Sequence, residues 1–124
     1  MNSNSSGWRK HPDYQIEIKL INKHIFIQIN GEKIVDSSKV LLLCEQNHEP
    51  VYYFPRQDVK MLYMQKIEKQ TTCPYKGEAS HWSLKLQHTQ IRIAAWSYEQ
   101  PYEQVIDIKN HIAFYPEVMV FVNI

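Results

Sequence analysis

Three short segments of the chain bring together side chains that can carry chemistry. They span residues 52–59, 72–79 and 94–98, and the last of them is followed by Pro101. Between them they supply a thiol, an amine, carboxylates, a guanidinium and several aromatic rings. Such groups are found disproportionately on loops that a rigid scaffold positions. We therefore expect the three segments to meet at one site, although they lie far apart in the sequence.

The middle segment contains the strongest candidates for a reacting group. An ammonium at Lys76, three residues from the thiol of Cys73, favours the nucleophilic thiolate, although a lone cysteine is more often a small buried hydrophobic residue. Lys76 could itself act as a nucleophile, bind an anion, or form a structural pair with Asp58 or Glu78. Asp58 could serve as a general acid or base, or could cap its own turn. Cys73, Lys76 and Asp58 are the candidate catalytic residues, and Cys44, within an apolar run, is expected in the core.

The candidate ligand-binding residues are three aromatic side chains and one guanidinium, namely Tyr53, Arg56, Trp96 and Tyr98. Trp96 and Tyr98 alternate along a predicted strand and therefore share one face, which fits either a core or the wall of a pocket. A concave, mostly apolar site with a few placed polar groups is the usual form of a small-molecule pocket. His81 is a further candidate base, because free histidine titrates near neutral pH.

Charge and composition exclude several classes of protein. The formal net charge is +1, and lysines and glutamates alternate rather than cluster, which argues against a nucleic-acid partner held by electrostatics. The two cysteines form no C-x-x-C pair and the histidines are isolated, so we expect no metal and no cofactor. None of the three glycines belongs to a phosphate-binding loop. No apolar run approaches the about 18 residues of a membrane span, so we expect no membrane partner and a reducing cytoplasm as the location.

The secondary-structure elements that position these residues are predicted to be mostly strands. Residues 14–20 and 24–29 alternate between apolar and polar side chains, and Asn30-Gly31 favours a tight hairpin to a strand at 33–35. Further strands are predicted at 40–44, 51–54, 60–67, 81–86, 91–96, 113–115 and 118–122, with an irregular segment at 71–77. One short helix is predicted at 101–109, beginning at Pro101. We expect a flexible tail at 1–13 and a single all-β domain at 14–124.

Four ordered motifs carry a family resemblance over nearly the whole predicted domain. They are Tyr-Phe-Pro-Arg-Gln-Asp-Val at 53–59, Cys-Pro-Tyr-Lys-Gly-Glu-Ala at 73–79, Ala-Trp-Ser-Tyr-Glu-Gln-Pro at 95–101 and Ile-Ala-Phe-Tyr-Pro at 112–116. In this order they resemble the family catalogued as domain of unknown function 427. The resemblance implies a β-tent-like fold, in which two sheets, or a half-open barrel, leave a cleft. His81 departs from the family pattern, which usually has tyrosine after Lys-Gly-x-Ala-Ser.

Proteins of that shape include zinc-binding domains, methionine sulfoxide reductases and a cage of aromatic residues that binds uracil or imides, and a shared fold does not fix a function. Three interpretations therefore stay open. The favoured one is a module that binds a small molecule in an aromatic and polar cleft. The second is an enzyme that uses the same cleft, with Cys73 or Lys76 as nucleophile and Asp58 as acid or base. The third is a scaffold that binds a protein partner through an exposed sheet edge.

Overall fold

Ten antiparallel strands in two sheets make up about half of residues 6–124, the part of the chain that the computed structural model describes. The larger sheet contains, in spatial order, β1 (Ile16–Leu20), β4 (Leu41–Glu45), β5 (Val51–Pro55), β9 (His111–Phe114), β8 (Gln90–Ser97), β7 (Gly77–Lys85) and β6 (Met64–Cys73). The smaller sheet contains β10 (Val122–Asn123), β2 (Ile25–Ile29) and β3 (Glu32–Ser37). The predicted all-β, two-sheet fold is therefore confirmed.

The predicted hairpin between β2 and β3 is also confirmed. Asn30 and Gly31 have φ angles of 51° and 82°, as a two-residue turn of this type requires, and Ile29 pairs with Glu32 across it. The alternation along β2 buries Ile25 and Ile27 completely. The turn chemistry thus fixes which face of β2 points into the core.

Two apolar clusters lie on opposite faces of the larger sheet. The first fills the space between the two sheets, where the isoleucines of β2 meet Phe54 and Phe114 of the larger sheet. Their sequence neighbours Tyr53 and Ala113 belong to the second cluster, because successive side chains of a strand point to opposite faces. A 3₁₀ helix at Glu103–Ile108 covers part of this second face. The candidate site lies on the same face.

Several predicted elements differ from the observed ones. The helix predicted at 101–109 is a kinked 3₁₀ helix, Glu103–Ile108, and the strand predicted at 118–122 is replaced by α2 (Pro116–Met119) followed by β10. Proline at the first helical position of α2 is pre-organised for a helix, which explains that difference. The strand predicted at 60–67 begins as a 3₁₀ turn, Met61–Tyr63, and continues as β6.

The segment predicted to be irregular, 71–77, is the tip of a long hairpin between β6 and β7. Cys73 pairs with Gly77 across a turn at residues 74–76, and Gly77 has a φ angle of 116°, which favours glycine. The register of the hairpin shifts between Lys66 and Gln70. β6 forms one edge of the larger sheet and β1 forms the other. The turn at 74–76 places Lys76 at the end of the hairpin between β6 and β7.

The N-terminal segment contains a short helix, α1 (Ser6–Lys10). Residues 1–5 of the predicted tail lie outside the described part of the chain, and the flexibility of the tail stays a prediction. Within α1, the indole Nε1 of Trp8 donates a hydrogen bond of 2.8 Å to the backbone oxygen of Tyr75. Gly7 allows this contact, because a Cβ atom there would lie 2.6 Å from the backbone oxygen of Pro74. Among residues 6–124, no helix is long and apolar enough to cross a membrane.

Candidate functional site

A cavity of about 580 Å³ lies on the second face of the larger sheet. Strands β4 to β8 and the turn at 74–76 supply most of its wall, and the segments before β1 and after β9 contribute one tyrosine each. The lining residues on which the following description depends are Tyr14, Glu45, Tyr53, Thr71, Cys73, Tyr75, Lys76, His81, Trp96, Tyr98 and Tyr115. Aromatic and ionisable side chains therefore dominate the surface that a ligand would meet.

One wall of the cavity is a cluster of aromatic rings from two strands and from the segment that follows a third. Trp96 on β8 packs edge-on against Tyr53 on β5, and its Nε1 donates a hydrogen bond of 3.3 Å to the hydroxyl of Tyr53. Tyr115, which follows β9, lies with its ring centroid 4.6 Å from that of Trp96. The wall is thus held by cross-strand contacts and by a hydrogen bond that fixes the indole plane.

The tyrosine hydroxyls of this wall stay protonated at neutral pH. Burial raises the pKa of Tyr53 and of Tyr98 well above the ordinary value, because a phenolate would be poorly solvated there. The hydroxyl of Tyr53 accepts a bond from Trp96, so its own proton is free to be donated. Tyr98 is 7% exposed and has no side-chain hydrogen bond within residues 6–124. The hydroxyl of Tyr98 is therefore available to a bound molecule, whereas Tyr53 is only 1% exposed and its hydroxyl holds the indole of Trp96.

Another part of the lining contains a nearly buried ion pair. The ammonium Nζ of Lys76 lies 2.6 Å from Oε1 of Glu45, at the end of β4, and only 11% and 9% of the two side chains are exposed. The hydroxyl of Tyr14 donates a bond of 2.5 Å to the second carboxylate oxygen. Burial alone would raise the pKa of Glu45, but the hydrogen bonds from Lys76 and Tyr14 outweigh burial and hold the pKa below its usual value. Glu45 is therefore a carboxylate at neutral pH and neutralises the lysine.

The thiol of Cys73 borders this pair. Its Sγ lies 3.6 Å from Nζ of Lys76, which places a hydrogen-bond donor beside the sulfur. The side chain is half-buried and lines the cavity. The contact between the amine and the thiol that the sequence indicated is therefore present.

Tyr14 and Tyr75 extend the cavity wall towards the N-terminal helix. Their rings stack with centroids 3.7 Å apart, and the ring of Trp8 packs edge-on against Tyr75 at 5.3 Å. Burial first, and then the hydrogen bond to Glu45, raise the pKa of Tyr14 far above its usual value. The N-terminal segment is thus part of the site and holds the carboxylate of Glu45 in place.

His81 on β7 is almost completely buried, with 2% of its surface exposed. Its Nε2 lies 2.8 Å from Oγ1 of Thr71, and its Nδ1 lies 3.0 Å from the hydroxyl of Tyr115. Burial disfavours the imidazolium, and the positive charge of Lys69 adds to this effect, so the pKa of His81 lies below its ordinary value of 6.5. The side chain is therefore neutral at pH 7 and links two hydroxyls.

The structure brings together five of the seven predicted catalytic and ligand-binding residues, namely Tyr53, Cys73, Lys76, Trp96 and Tyr98, and the further candidate His81 lines the same cavity. Arg56 and Asp58 lie elsewhere, because β5 ends at Pro55 and a 3₁₀ turn, Arg56–Asp58, directs the chain towards β3. Asp58 accepts a hydrogen bond of 2.7 Å from the hydroxyl of Ser37. Arg56 stacks on the ring of Trp82, with its guanidinium carbon 4.9 Å from the ring centroid.

Five of the lining residues described above were not predicted as site residues from the sequence, namely Tyr14, Glu45, Thr71, Tyr75 and Tyr115. Glu45 replaces Asp58 and Glu78 as the partner of Lys76, at a separation of 31 residues. One signal for Glu45 exists, since a carboxylate directly follows the apolar run of β4. Within residues 6–124, no group of three or more His, Cys, Asp or Glu side chains is placed to hold a metal ion.

Comparison with known protein families identifies one family whose model matches the chain. A family model with the description "Domain of unknown function (DUF427)" matches residues 17–123. The matched region includes the whole site except Tyr14 and the helix that packs beside it. No curated protein matches the chain.

Proposed function

The chain belongs to the DUF427 family, and from this starting point we propose that it binds a small, flat, uncharged molecule in the cavity between the aromatic wall and the Lys76–Glu45 pair. The observation that carries the proposal is that stacked aromatic rings and an internally neutralised ion pair line one cavity. Its volume of about 580 Å³ lies within the range of small-molecule pockets, about 300–1,000 Å³.

The preference for an uncharged molecule follows from the charges of the lining. Lys76 and Glu45 cancel, and His81 is neutral. The other ionisable lining residues with a charge to offer, His48 and Glu49, are exposed to water, so within the described lining neither an anion nor a cation gains a buried partner that is free to pair with it. A charged ligand would therefore lose its hydration without compensation. A flat ring can instead pack against Trp96, whose indole Tyr53 holds in place, while the hydroxyl of Tyr98 donates a hydrogen bond to the ring.

Three probes of similar size test the charge preference: benzamide, benzoate and benzylammonium. Binding is followed by nuclear magnetic resonance through the indole N–H signal of Trp96 at pH 7. We expect benzamide to shift this signal saturably and with the lowest Kd of the three. The proposal fails if no probe moves the signal, or if benzoate or benzylammonium binds as tightly as benzamide.

Two matched tyrosine variants test the location of the binding site. Tyr98→Phe removes a hydroxyl that lines the cavity, and Tyr102→Phe removes one that lies outside it. A hydrogen bond contributes about 0.5–1.5 kcal/mol, so Tyr98→Phe should raise the Kd of benzamide by about 2- to 12-fold. Tyr102→Phe and Asp58→Asn should leave the Kd unchanged, since neither residue lines the cavity. An equal effect of Tyr98→Phe and Tyr102→Phe would refute this placement.

A second candidate function is covalent chemistry at Cys73. The supporting observation is the 3.6 Å contact between its Sγ and Nζ of Lys76 within the cavity. Asp58 takes no part in this candidate function, because its carboxylate accepts a hydrogen bond from Ser37 instead. If Cys73 is an activated nucleophile, iodoacetamide at pH 7 should alkylate it much faster than Cys44, which is also half-buried. Equal rates for the two thiols would exclude this function.

A further inference from the structure

Thr71, His81 and Tyr115 form a hydrogen-bonded chain along the cavity. Thr71 is exposed at one end, His81 is buried in the middle, and Tyr115 lies beside Trp96 at the other end. With a neutral imidazole the chain holds three exchangeable protons, one on each side chain. Two of them form the two hydrogen bonds, so one end of the chain must carry a hydroxyl proton that points away from His81.

The chemistry of the two hydroxyls decides which end this is. A phenol ionises near pH 10 and is a far stronger acid than the aliphatic hydroxyl of threonine, so it is the better hydrogen-bond donor. Tyr115 therefore donates to Nδ1 of His81, and the imidazole proton resides on Nε2. Nε2–H then donates to Oγ1 of Thr71, whose own proton faces solvent. The 3.0 Å and 2.8 Å distances suit these two bonds.

This arrangement leaves the oxygen of Tyr115 with an unused lone pair and no proton for a ligand. We propose that Tyr115 is a ligand-binding residue that accepts a hydrogen bond, so that the cavity selects flat molecules carrying an N–H or O–H donor. The ring of Trp96, 4.6 Å from that of Tyr115, offers such a molecule a surface to pack against. The inference rests on the proposed function and adds the chemical group that is recognised.

Indole and 1-methylindole test this selection, because they have nearly the same shape and only indole has an N–H donor. Their Kd values are measured through the Trp96 indole signal. Indole should bind about 2- to 12-fold more tightly than 1-methylindole to the unaltered protein, the range given by one hydrogen bond. In Tyr115→Phe the two Kd values should become equal. Tyr102→Phe, which alters a tyrosine outside the cavity, should keep the preference for indole.

Equal binding of the two probes to the unaltered protein would overturn the inference, as would a preference that survives in Tyr115→Phe or disappears in Tyr102→Phe. An independent test uses the ligand-free protein. Nitrogen-15 spectra of His81 at pH 7 should show the proton on Nε2, and a proton on Nδ1 would overturn the assignment of Tyr115 as an acceptor. If neither probe shifts the Trp96 signal, the proposed function fails for flat neutral rings, and the His81 spectrum still decides the assignment.

Discussion

Replacement of Lys76 by methionine distinguishes a structural ion pair from an exposed ligand-binding lysine. Methionine keeps much of the length of the side chain and removes its charge. Lys76 is only 9% exposed, and its ammonium lies 2.6 Å from Glu45, so the variant leaves a nearly buried carboxylate without its cation. We therefore expect Lys76→Met to lower the free energy of unfolding substantially at pH 7.

The magnitude follows from the partners that remain. Breaking a buried ion pair by removing one member costs about 3–5 kcal/mol. Tyr14 still donates a hydrogen bond to Glu45, which favours the lower end of that range, about 3 kcal/mol. For a chain of 124 residues, 1 kcal/mol shifts Tm by about 4 °C, so the loss is about 12 °C.

Thermal melts at pH 7 measure this loss, with Lys66→Met as the matched control. Lys66 pairs with Glu99, but 47% and 41% of their side chains are exposed, so its removal should cost less than about 1 kcal/mol. Adding Glu45→Gln to Lys76→Met removes the stranded charge and should restore about half of the lost stability or more. The reasoning is refuted if Lys76→Met melts within about 3 °C of the unaltered protein, or if the double variant is no more stable than the single one.

Two further predictions concern α1 and acid. Gly7→Ala places a Cβ atom 2.6 Å from the backbone oxygen of Pro74, so α1 should be displaced from the turn at 74–76. The fluorescence emission of Trp8 should then shift to the red. Unchanged emission would contradict the packing of α1 against this turn. Acid should destabilise the protein in two stages, because the pKa values of His81 and Glu45 are both lower in the folded chain than their ordinary values of 6.5 and 4.5. The stability that each group contributes is complete above its ordinary pKa and is lost as the pH falls through its lower pKa in the folded protein. Thermal melts between pH 8 and pH 3 should therefore show Tm falling as the pH falls. A constant Tm would refute both assignments.

The parts of the fold that were predictable are those that local chemistry determines. Asn30-Gly31 determines its own turn, and the alternation in β2 determines which side chains are buried, so the hairpin followed from a few adjacent residues. Where two local signals compete, the prediction failed. Val118 lies in an apolar run that suggests a strand, but Pro116 starts a helix there.

The charged part of the site could not be predicted, because its contacts join distant parts of the chain. Glu45 meets Lys76 only because β4 and the turn at 74–76 lie at the same end of the second face. Tyr53 and Trp96 were predictable, since alternation in their strands sets the face they occupy. Asp58 was predicted to lie near Tyr53 because the two residues are close along the chain. The 3₁₀ turn that contains Asp58 separates them in space.

The irregular edge of β6 has a consequence for the behaviour of the protein in concentrated solution. A long, flat edge strand offers free backbone groups that can pair with another molecule and seed aggregation. In β6 the register shift falls at residues 67–69, and Lys66, Glu68 and Lys69 surround it with charge. A second copy of the chain would therefore meet a kinked and charged strand, and strand-by-strand polymerisation at this edge is disfavoured. Thr71 and Cys73 of the same strand line the cavity, so this charged and irregular edge also borders the cavity.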